Sequence, residues 1–322
     1  MTTSDRVRWG ILGTGGINRR FLGGMAQAAD ARIVAVASRD ADRGAAYAAE
    51  HGIPTAHGAY EALLADREIE AVYISLPNSL HHPWSMAALA AGKHVLSEKP
   101  YTRRPAEVDE GFDAAERAGR LLVEGFMWRY TPQTERLLEE SRRIGPLRTI
   151  RSTFSFRLDD ETNIRLRPEV EGGSLMDVGC YCVSAARLLA GEEPVEVAAI
   201  QEVGPTGVDI RFTGILRFPS GVVAEFTSGF GSAHQSIEAI GAEGSIASNA
   251  HPWHDGDGWL LRNGTERIGV PAIDPYRLEI DEISRAIRGG PALRLGRADA
   301  LGQARTIEAL YRAAETGSTV RL

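Results

Sequence analysis

Val7-Arg8-Trp9-Gly10-Ile11-Leu12 runs straight into Gly13-Thr14-Gly15-Gly16-Ile17-Asn18, and this junction decides the fold. The first six residues read as an apolar strand, and helical residues follow the glycines. Gly13 permits the tight turn, Gly15 lets backbone amides approach a pyrophosphate, and the helix N-terminus supplies partial positive charge for it. Asn18 stands where the third glycine of G-x-G-x-x-G is expected. A bare match to that pattern is a weak signal, so its weight comes from what surrounds it.

Working outward, short apolar runs alternate with longer amphipathic stretches as far as Val123. Strands are predicted at Val7 to Leu12, Ile33 to Ala37, Ala71 to Ser75, His94 to Ser97 and Leu121 to Val123. Helices are predicted at Asp42 to His51, Tyr60 to Ala65, Pro83 to Ala91 and Arg104 to Gly119. Strand and helix in alternation need crossover connections, which build a parallel sheet covered on both faces. After Arg129 the pattern changes to extended, period-two segments with few helices between them, joined in one place by the turn Phe218-Pro219-Ser220-Gly221. Consecutive strands without crossovers imply antiparallel pairing. The expected fold is therefore α/β: an N-terminal Rossmann domain with a doubly wound parallel sheet at 1–125, then a C-terminal α+β domain with a large, mostly antiparallel open sheet at 126–322. Two amphipathic helices, Tyr276 to Arg288 and Gly296 to Thr316, close the chain.

Composition narrows the function classes. A formal charge of -7 opposes nonspecific nucleic-acid binding, which needs a basic surface. No apolar run is long enough to cross a bilayer. The polar start, Met1 to Arg6, lacks the features of a secretory leader, and the two cysteines, Cys180 and Cys182, are too close in sequence to be good disulfide partners. A cytoplasmic protein is expected. His251-Pro252-Trp253-His254-Asp255 offers two imidazoles, but Pro252 and the glycines that follow argue for a loop, and no third ligand is evident, so no metal is expected.

The end of the second strand selects the cofactor. A carboxylate there favours the ribose hydroxyls of NAD and repels a 2'-phosphate. This chain has Ser38-Arg39 instead, with Arg43 one helical turn further on. Hydroxyl and guanidinium groups suit a phosphate dianion, so NADP is the expected cofactor, with NAD as the alternative.

Two stretches follow later strands: Leu76-Pro77-Asn78-Ser79-Leu80-His81, and Ser97-Glu98-Lys99-Pro100 after Gly92-Lys93-His94-Val95-Leu96. With Glu124-Gly125-Phe126-Met127-Trp128-Arg129 and Gly172-Gly173-Ser174-Leu175-Met176-Asp177-Val178-Gly179-Cys180-Tyr181, they make the chain resemble the Gfo/Idh/MocA oxidoreductase family over nearly its whole length. The resemblance implies that Lys99 is catalytic. Many members carry a histidine four residues after the position of Asp177, whereas this chain has Tyr181. In that respect it is similar to the tyrosine-bearing branch, with glucose-fructose oxidoreductase, NADP-dependent D-xylose dehydrogenases and dimeric dihydrodiol dehydrogenases.

The implied activity is hydride transfer between NADP and a sugar or polyol. The alternatives are a trans-dihydrodiol dehydrogenase, a keto-sugar reductase, or a non-catalytic dinucleotide-binding regulator. Oxidising an alcohol removes a hydride from carbon and a proton from oxygen, so a general base is needed. A phenol with a pKa of about 10 is a weak base until a neighbouring ammonium favours its anion. Tyr181 would move the proton, Lys99 would tune it and polarise the oxygen, and Asp177 would orient the substrate hydroxyl or hold Lys99 charged. The resemblance also implies that Pro77, Asn78 and His81 flank the nicotinamide ribose, and that Arg165 and Tyr276 approach the cofactor from the second domain. Trp128, Phe156 and Trp253 could wall a sugar pocket, with core packing as the competing role for each. Family members commonly pair through the open sheet, so a homo-oligomer, dimer or tetramer, is expected.

Overall fold

The structure, a computed structural model, describes residues 6–248, 251–254 and 258–322. The chain divides into two compact units, Met1–Met127 with Pro275–Ala300, and Trp128–Asp274 with Leu301–Leu322.

The first unit is built on six strands: β1 (Val7–Leu12), β2 (Ala31–Ala37), β3 (Thr55–His57), β4 (Ala71–Ile74), β5 (His94–Glu98) and β6 (Leu122–Gly125). All pair in parallel in the order β3-β2-β1-β4-β5-β6. The order reverses between β1 and β4, and in such sheets ligands bind outside the carboxyl ends of the strands at that reversal. Every residue of β4 is buried, as a central strand covered on both faces requires. The covering helices carry their own start and stop signals. In α2 (Ala41–His51) Asp40 accepts from the Arg43 amide, and Gly52 ends the helix with a left-handed backbone. In α5 (Pro105–Ala118) proline opens the helix and Gly119 closes it in the same way.

The sequence assigned everything after residue 125 to the second domain, and the structure differs here. Helix α8 (Pro275–Ile287) packs in the first unit, against α1 (Asn18–Gln27). A Cβ on Gly24 of α1 would lie 2.6 Å from Tyr276 Cβ, so the glycine is what allows the two helices to meet. Trp9 Nε1 donates to Ser284 Oγ at 3.1 Å and the Ala29 amide donates to Asp281 Oδ1 at 2.9 Å, fixing the helix over β1 and β2. Amphipathicity says that a helix has a buried face; it does not say which sheet buries it.

The second unit holds a nine-stranded sheet in the order β14-β13-β12-β11-β7-β10-β9-β8-β15. Its central strands are β7 (Leu147–Ser155), β8 (Glu196–Val203), β9 (Asp209–Arg217), β10 (Val223–Gly229) and β11 (His234–Gly241). Four shorter strands complete it: β12 (Ser245–Ser248), β13 (Trp259–Arg262), β14 (Glu266–Gly269) and β15 (Val320–Arg321). All pairings are antiparallel except β7 with β10. In β9 burial alternates, with Phe212, Gly214 and Leu216 inside and Arg211, Thr213 and Ile215 outside, the period-two pattern of a sheet with one solvated face. Gly221, at φ 89°, closes the β9–β10 turn with its amide on Phe218 O. Helix α7 (Cys180–Ala190) lies on the inner face, packed against β7 and β10. No helix among the described residues is long and apolar enough to cross a membrane.

Candidate active site

In the first unit the residues singled out from sequence gather at the carboxyl ends of the strands. Gly13 adopts φ 102°, a conformation L side chains rarely reach, and a Cβ there would sit 3.0 Å from Leu76 Cδ2. Its amide donates to Ala37 O at 3.0 Å. Asn18 is fully buried and its Nδ2 donates to Gly13 O at 2.9 Å. The residue that departs from the glycine pattern therefore ties the loop closed. Among the described residues, the amides of Thr14, Gly15, Gly16 and Ile17 donate to no protein acceptor. Gly15 to Ile17 are exposed at the head of α1, and a Cβ on Gly16 would meet nothing within 4 Å. Unused amides at a helix N-terminus fit a diphosphate.

At the end of β2, Ser38 is buried and its hydroxyl holds the turn: it accepts from the Asp40 amide at 3.2 Å and from Arg43 Nε at 3.3 Å. Arg43 is thereby held beside the strand end, and Arg39 is exposed next to it. No carboxylate occupies the Ser38 position, and the donor set fits a 2'-phosphate.

Leu76, Pro77, Asn78 and His81 form the loop after β4. His81 is buried with Nε2 2.7 Å from Leu76 O and Nδ1 2.8 Å from Pro100 O, so it clips the β4 loop to the Lys99-Pro100 segment. Burial pulls its pKa down to about 4, against the two carbonyls and with the Lys99 charge. The neutral ring then donates to one carbonyl at a time. His81 is thus a structural clip between the two loops. Glu98 is likewise occupied: it accepts from Tyr73 Oη at 2.5 Å and from the Lys99 amide at 3.3 Å. Lys99 is partly exposed at the end of β5. Lys93, in the same stretch of sequence, is buried, with Nζ 2.6 Å from Asp66 O and 2.8 Å from Ile69 O. One lysine of the motif fastens a loop, and the other is partly exposed at the strand end.

The second unit supplies Asp177 and Tyr181. Residues Leu175–Gly179 form a π-helical turn, closed by Cys180 N–H donating to Leu175 O, which leads into α7. Single π turns of this kind concentrate at functional sites. Arg165 Nε reaches Asp177 Oδ2 at 2.6 Å while its guanidinium lies 5.6 Å from the Phe156 ring centroid. Tyr181 is buried, with Phe154 at 5.3 Å and Trp253 at 5.7 Å edge-on to its ring. Trp253 stacks on Phe154 and meets Trp128 edge-on. Trp128 and Trp253 have no exposed surface, so they support the Tyr181 ring, and Phe156 is the one of the three proposed wall residues with exposed area.

Tyr276 does not approach from the second unit; it lies on α8 in the first. Asp255, from the motif weighed as a metal site, lies outside the described residues, and among these no group of three ligating side chains occurs. The pairing of Arg165 with Asp177 was invisible in the sequence, since it joins a loop to a helix turn with nothing in either stretch to mark it.

Residues 7–126 match the oxidoreductase family described as NAD-binding Rossmann fold, and residues 133–247 match the GFO/IDH/MocA C-terminal domain. The chain is 41% identical to D-xylose 1-dehydrogenase (NADP(+)) 2 of Haloferax volcanii, across 98% of this chain and 100% of the relative. The chain belongs to the Gfo/Idh/MocA family. It is an oxidoreductase whose first domain is the one that binds the nicotinamide dinucleotide. Two solved structures share the fold along the chain. The aldose-aldose oxidoreductase from Caulobacter crescentus, complexed with glycerol, superposes with a TM-score of 0.91 at 30% identity, over 98% of this chain and 100% of the other. The 3-ketoreductase KijD10 from Actinomadura kijaniata, with NADP and TDP-benzene, gives 0.89 at 28% identity, over 96% and 98%.

Proposed function

We propose that the protein is an NADP(H)-dependent dehydrogenase or reductase acting on an aldose, ketose or related polyol. The observation that carries the reading is the π turn that presents Asp177 and, four residues on, Tyr181, with Arg165 clamped on the carboxylate. A phenol following a pinned carboxylate is what alcohol oxidation by acid–base chemistry needs. The similarity to an NADP-dependent D-xylose dehydrogenase over the full chain favours a sugar.

In this mechanism the nicotinamide, when bound, takes up or gives up the hydride. Thr14 to Ile17 hold the diphosphate through their amides, and Ser38, Arg39 and Arg43 hold the 2'-phosphate. Tyr181 Oη takes the proton of the reacting hydroxyl in oxidation and returns it in reduction. The Lys99 ammonium polarises the substrate oxygen. Asp177, steadied by Arg165, orients a substrate hydroxyl, and Phe156 offers a ring to an apolar sugar face.

A panel of aldoses and polyols with NADP and with NAD, followed at the nicotinamide absorbance, tests the substrate class. Turnover of an aldose with NADP is expected, whereas dinucleotide binding with no turnover on any member would favour a regulatory protein. Lys99→Met is expected to abolish turnover and leave dinucleotide binding intact, and stopped-flow traces with wild-type hydride transfer would remove Lys99 from the mechanism.

We further propose that a second copy of the chain covers the outer sheet face, where Ile200, Ile215 and Val223 are exposed on adjacent strands. Light scattering should report a dimer or larger; a monomer at working concentration would reject it. Two buried free thiols, Cys180 and Cys182, fit a reducing cytoplasm.

A further inference from the structure

Asp209, the first residue of β9, pairs with Val203 of β8, and its side chain is buried in the second unit. Its Oδ2 accepts from the Leu175 amide at 2.7 Å and from Ser174 Oγ at 2.9 Å, and its Oδ1 accepts from Tyr311 Oη at 3.0 Å. Ser174 Oγ is also 3.1 Å from Ser228 Oγ on β10. Tyr311, on α9 (Arg297–Thr316), is itself held edge-on by Phe212 at 5.7 Å. Three donors from two parts of the unit, the head of the π turn and α9, thus converge on one carboxylate at the point where the turn begins. The turn has no side-chain cap of its own at Ser174, so this carboxylate does the work of an N-cap from 34 residues away.

Two glycines bear on the same contact. Gly173 has φ 121°, and a Cβ there would stand 2.2 Å from Asp209 Oδ1; a Cβ on Gly179 would stand 2.8 Å from Ser228 Oγ. The segment is therefore pressed against β9 and β10 at both ends. A π turn holds one residue more than an α turn, and relaxing it by one residue rotates the residues on one side of it by about 100° relative to the other. Asp177 lies inside the turn and Tyr181 lies beyond it, so their mutual orientation depends on whether the turn is held.

We propose that Asp209 is a positioning residue for hydride transfer: its carboxylate anchors the π turn, and through it sets Asp177 and Tyr181 in register for the substrate. The proposal rests on the roles given above to Asp177 and Tyr181. Burial raises the Asp209 pKa against the pull of its donors, so an amide of the same shape is tolerated there. Asp209→Asn keeps an acceptor for the Leu175 amide, whereas Asp209→Leu keeps the branched shape and removes it.

The test compares these two variants and Tyr311→Phe with wild type, alongside Leu216→Ala as a control that destabilises the same strand from a fully buried position seven residues from Asp209. For Asp209→Leu, kcat with the best aldose should fall roughly 10–100-fold, as displacement of a catalytic group by about 1 Å does. The dissociation constant for NADP should not change, Asp209→Asn should recover most of the rate, and Tyr311→Phe should lie between. Equal loss of kcat in Leu216→Ala at matched thermal midpoint, or a folded Asp209→Leu within twofold of wild type, would overturn the proposal. Hydrogen exchange of the amides from Leu175 to Tyr181 reads the anchor without any substrate: selective acceleration in Asp209→Leu is expected, and unchanged exchange there rejects it. Absence of turnover in the wild-type protein would instead count against the sugar oxidoreductase reading, so the two failures are distinguishable.

Discussion

The glycine loop after β1 and the π turn both carry exposed or buried polar groups, yet they are held in different ways. The loop from Gly13 to Asn18 is made of backbone: its shape comes from a glycine at φ 102°, and its tie is local, from Asn18 to Gly13 O. The π turn is made of side chains reaching in from a distance, with Asp209 on Leu175 and Ser174, and Arg165 on Asp177. A feature built of backbone tolerates side-chain change as long as Gly13 and the Asn18 tie stay. A feature built of long-range side chains loses its geometry when any one of them is removed.

Substitutions in the two regions should therefore separate rate, stability and cofactor choice. The largest effect is expected from Tyr181→Phe. It keeps the ring contacts with Phe154 and Trp253 and removes only the proton carrier, so kcat should fall roughly 10²–10⁴-fold with little change in NADP affinity; pre-steady-state absorbance reads both. Gly173→Ala should follow. A side chain at φ 121° that meets Asp209 should cost about 2–4 kcal/mol of stability in denaturant titration, and a neutral outcome would mean that the turn is softer than its contacts imply.

On the loop side the changes are in selectivity. Arg43→Ala, which removes a guanidinium held by Ser38, should weaken NADP roughly tenfold and leave NAD nearly unaffected, measured by dinucleotide fluorescence. Equal loss for both dinucleotides would place Arg43 elsewhere than the 2'-phosphate.

The smallest effect is a pH dependence confined to the first unit. Burial lowers His81 and His94 to about 4, and His94 Nδ1 accepts from the Leu121 amide at 3.1 Å, so it is held neutral. From about 6.5, the ordinary imidazole value, down to about 4, these two imidazoles bind more protons in the unfolded chain than in the folded one. Unfolding free energy should accordingly fall as pH drops through that window. His94→Gln should flatten the slope by one proton's worth, and an unaltered slope would show that His94 does not contribute to it.

The same contrast explains what could be read in advance. Sequence was sufficient where the determining contacts are local: β1 and the glycine loop, the alternation that builds the parallel sheet, Ser38-Arg39 at the end of β2, and the period-two strands of the second unit. It failed where partners are distant. Lys93 and Lys99 belong to one motif, and only packing shows that Lys93 is consumed by the carbonyls of Asp66 and Ile69. The apolar faces of Trp128 and Trp253 fit either a core or a pocket until their burial is known. Helix α7 went unrecognised because an element buried almost all round lacks the polar face that periodicity detects.

The sequence by itself determined that this chain has a glycine loop opening a parallel sheet, a serine rather than a carboxylate at the end of the second strand, and the motifs of an oxidoreductase family, because each of these is written in residues a few positions apart. Tertiary structure decided that α8 joins the first unit, that His81 serves as a clip, and that Asp209 and Arg165 grip the turn carrying Asp177. These are meetings between distant segments, and a one-dimensional pattern holds no record of which buried polar group will find which partner.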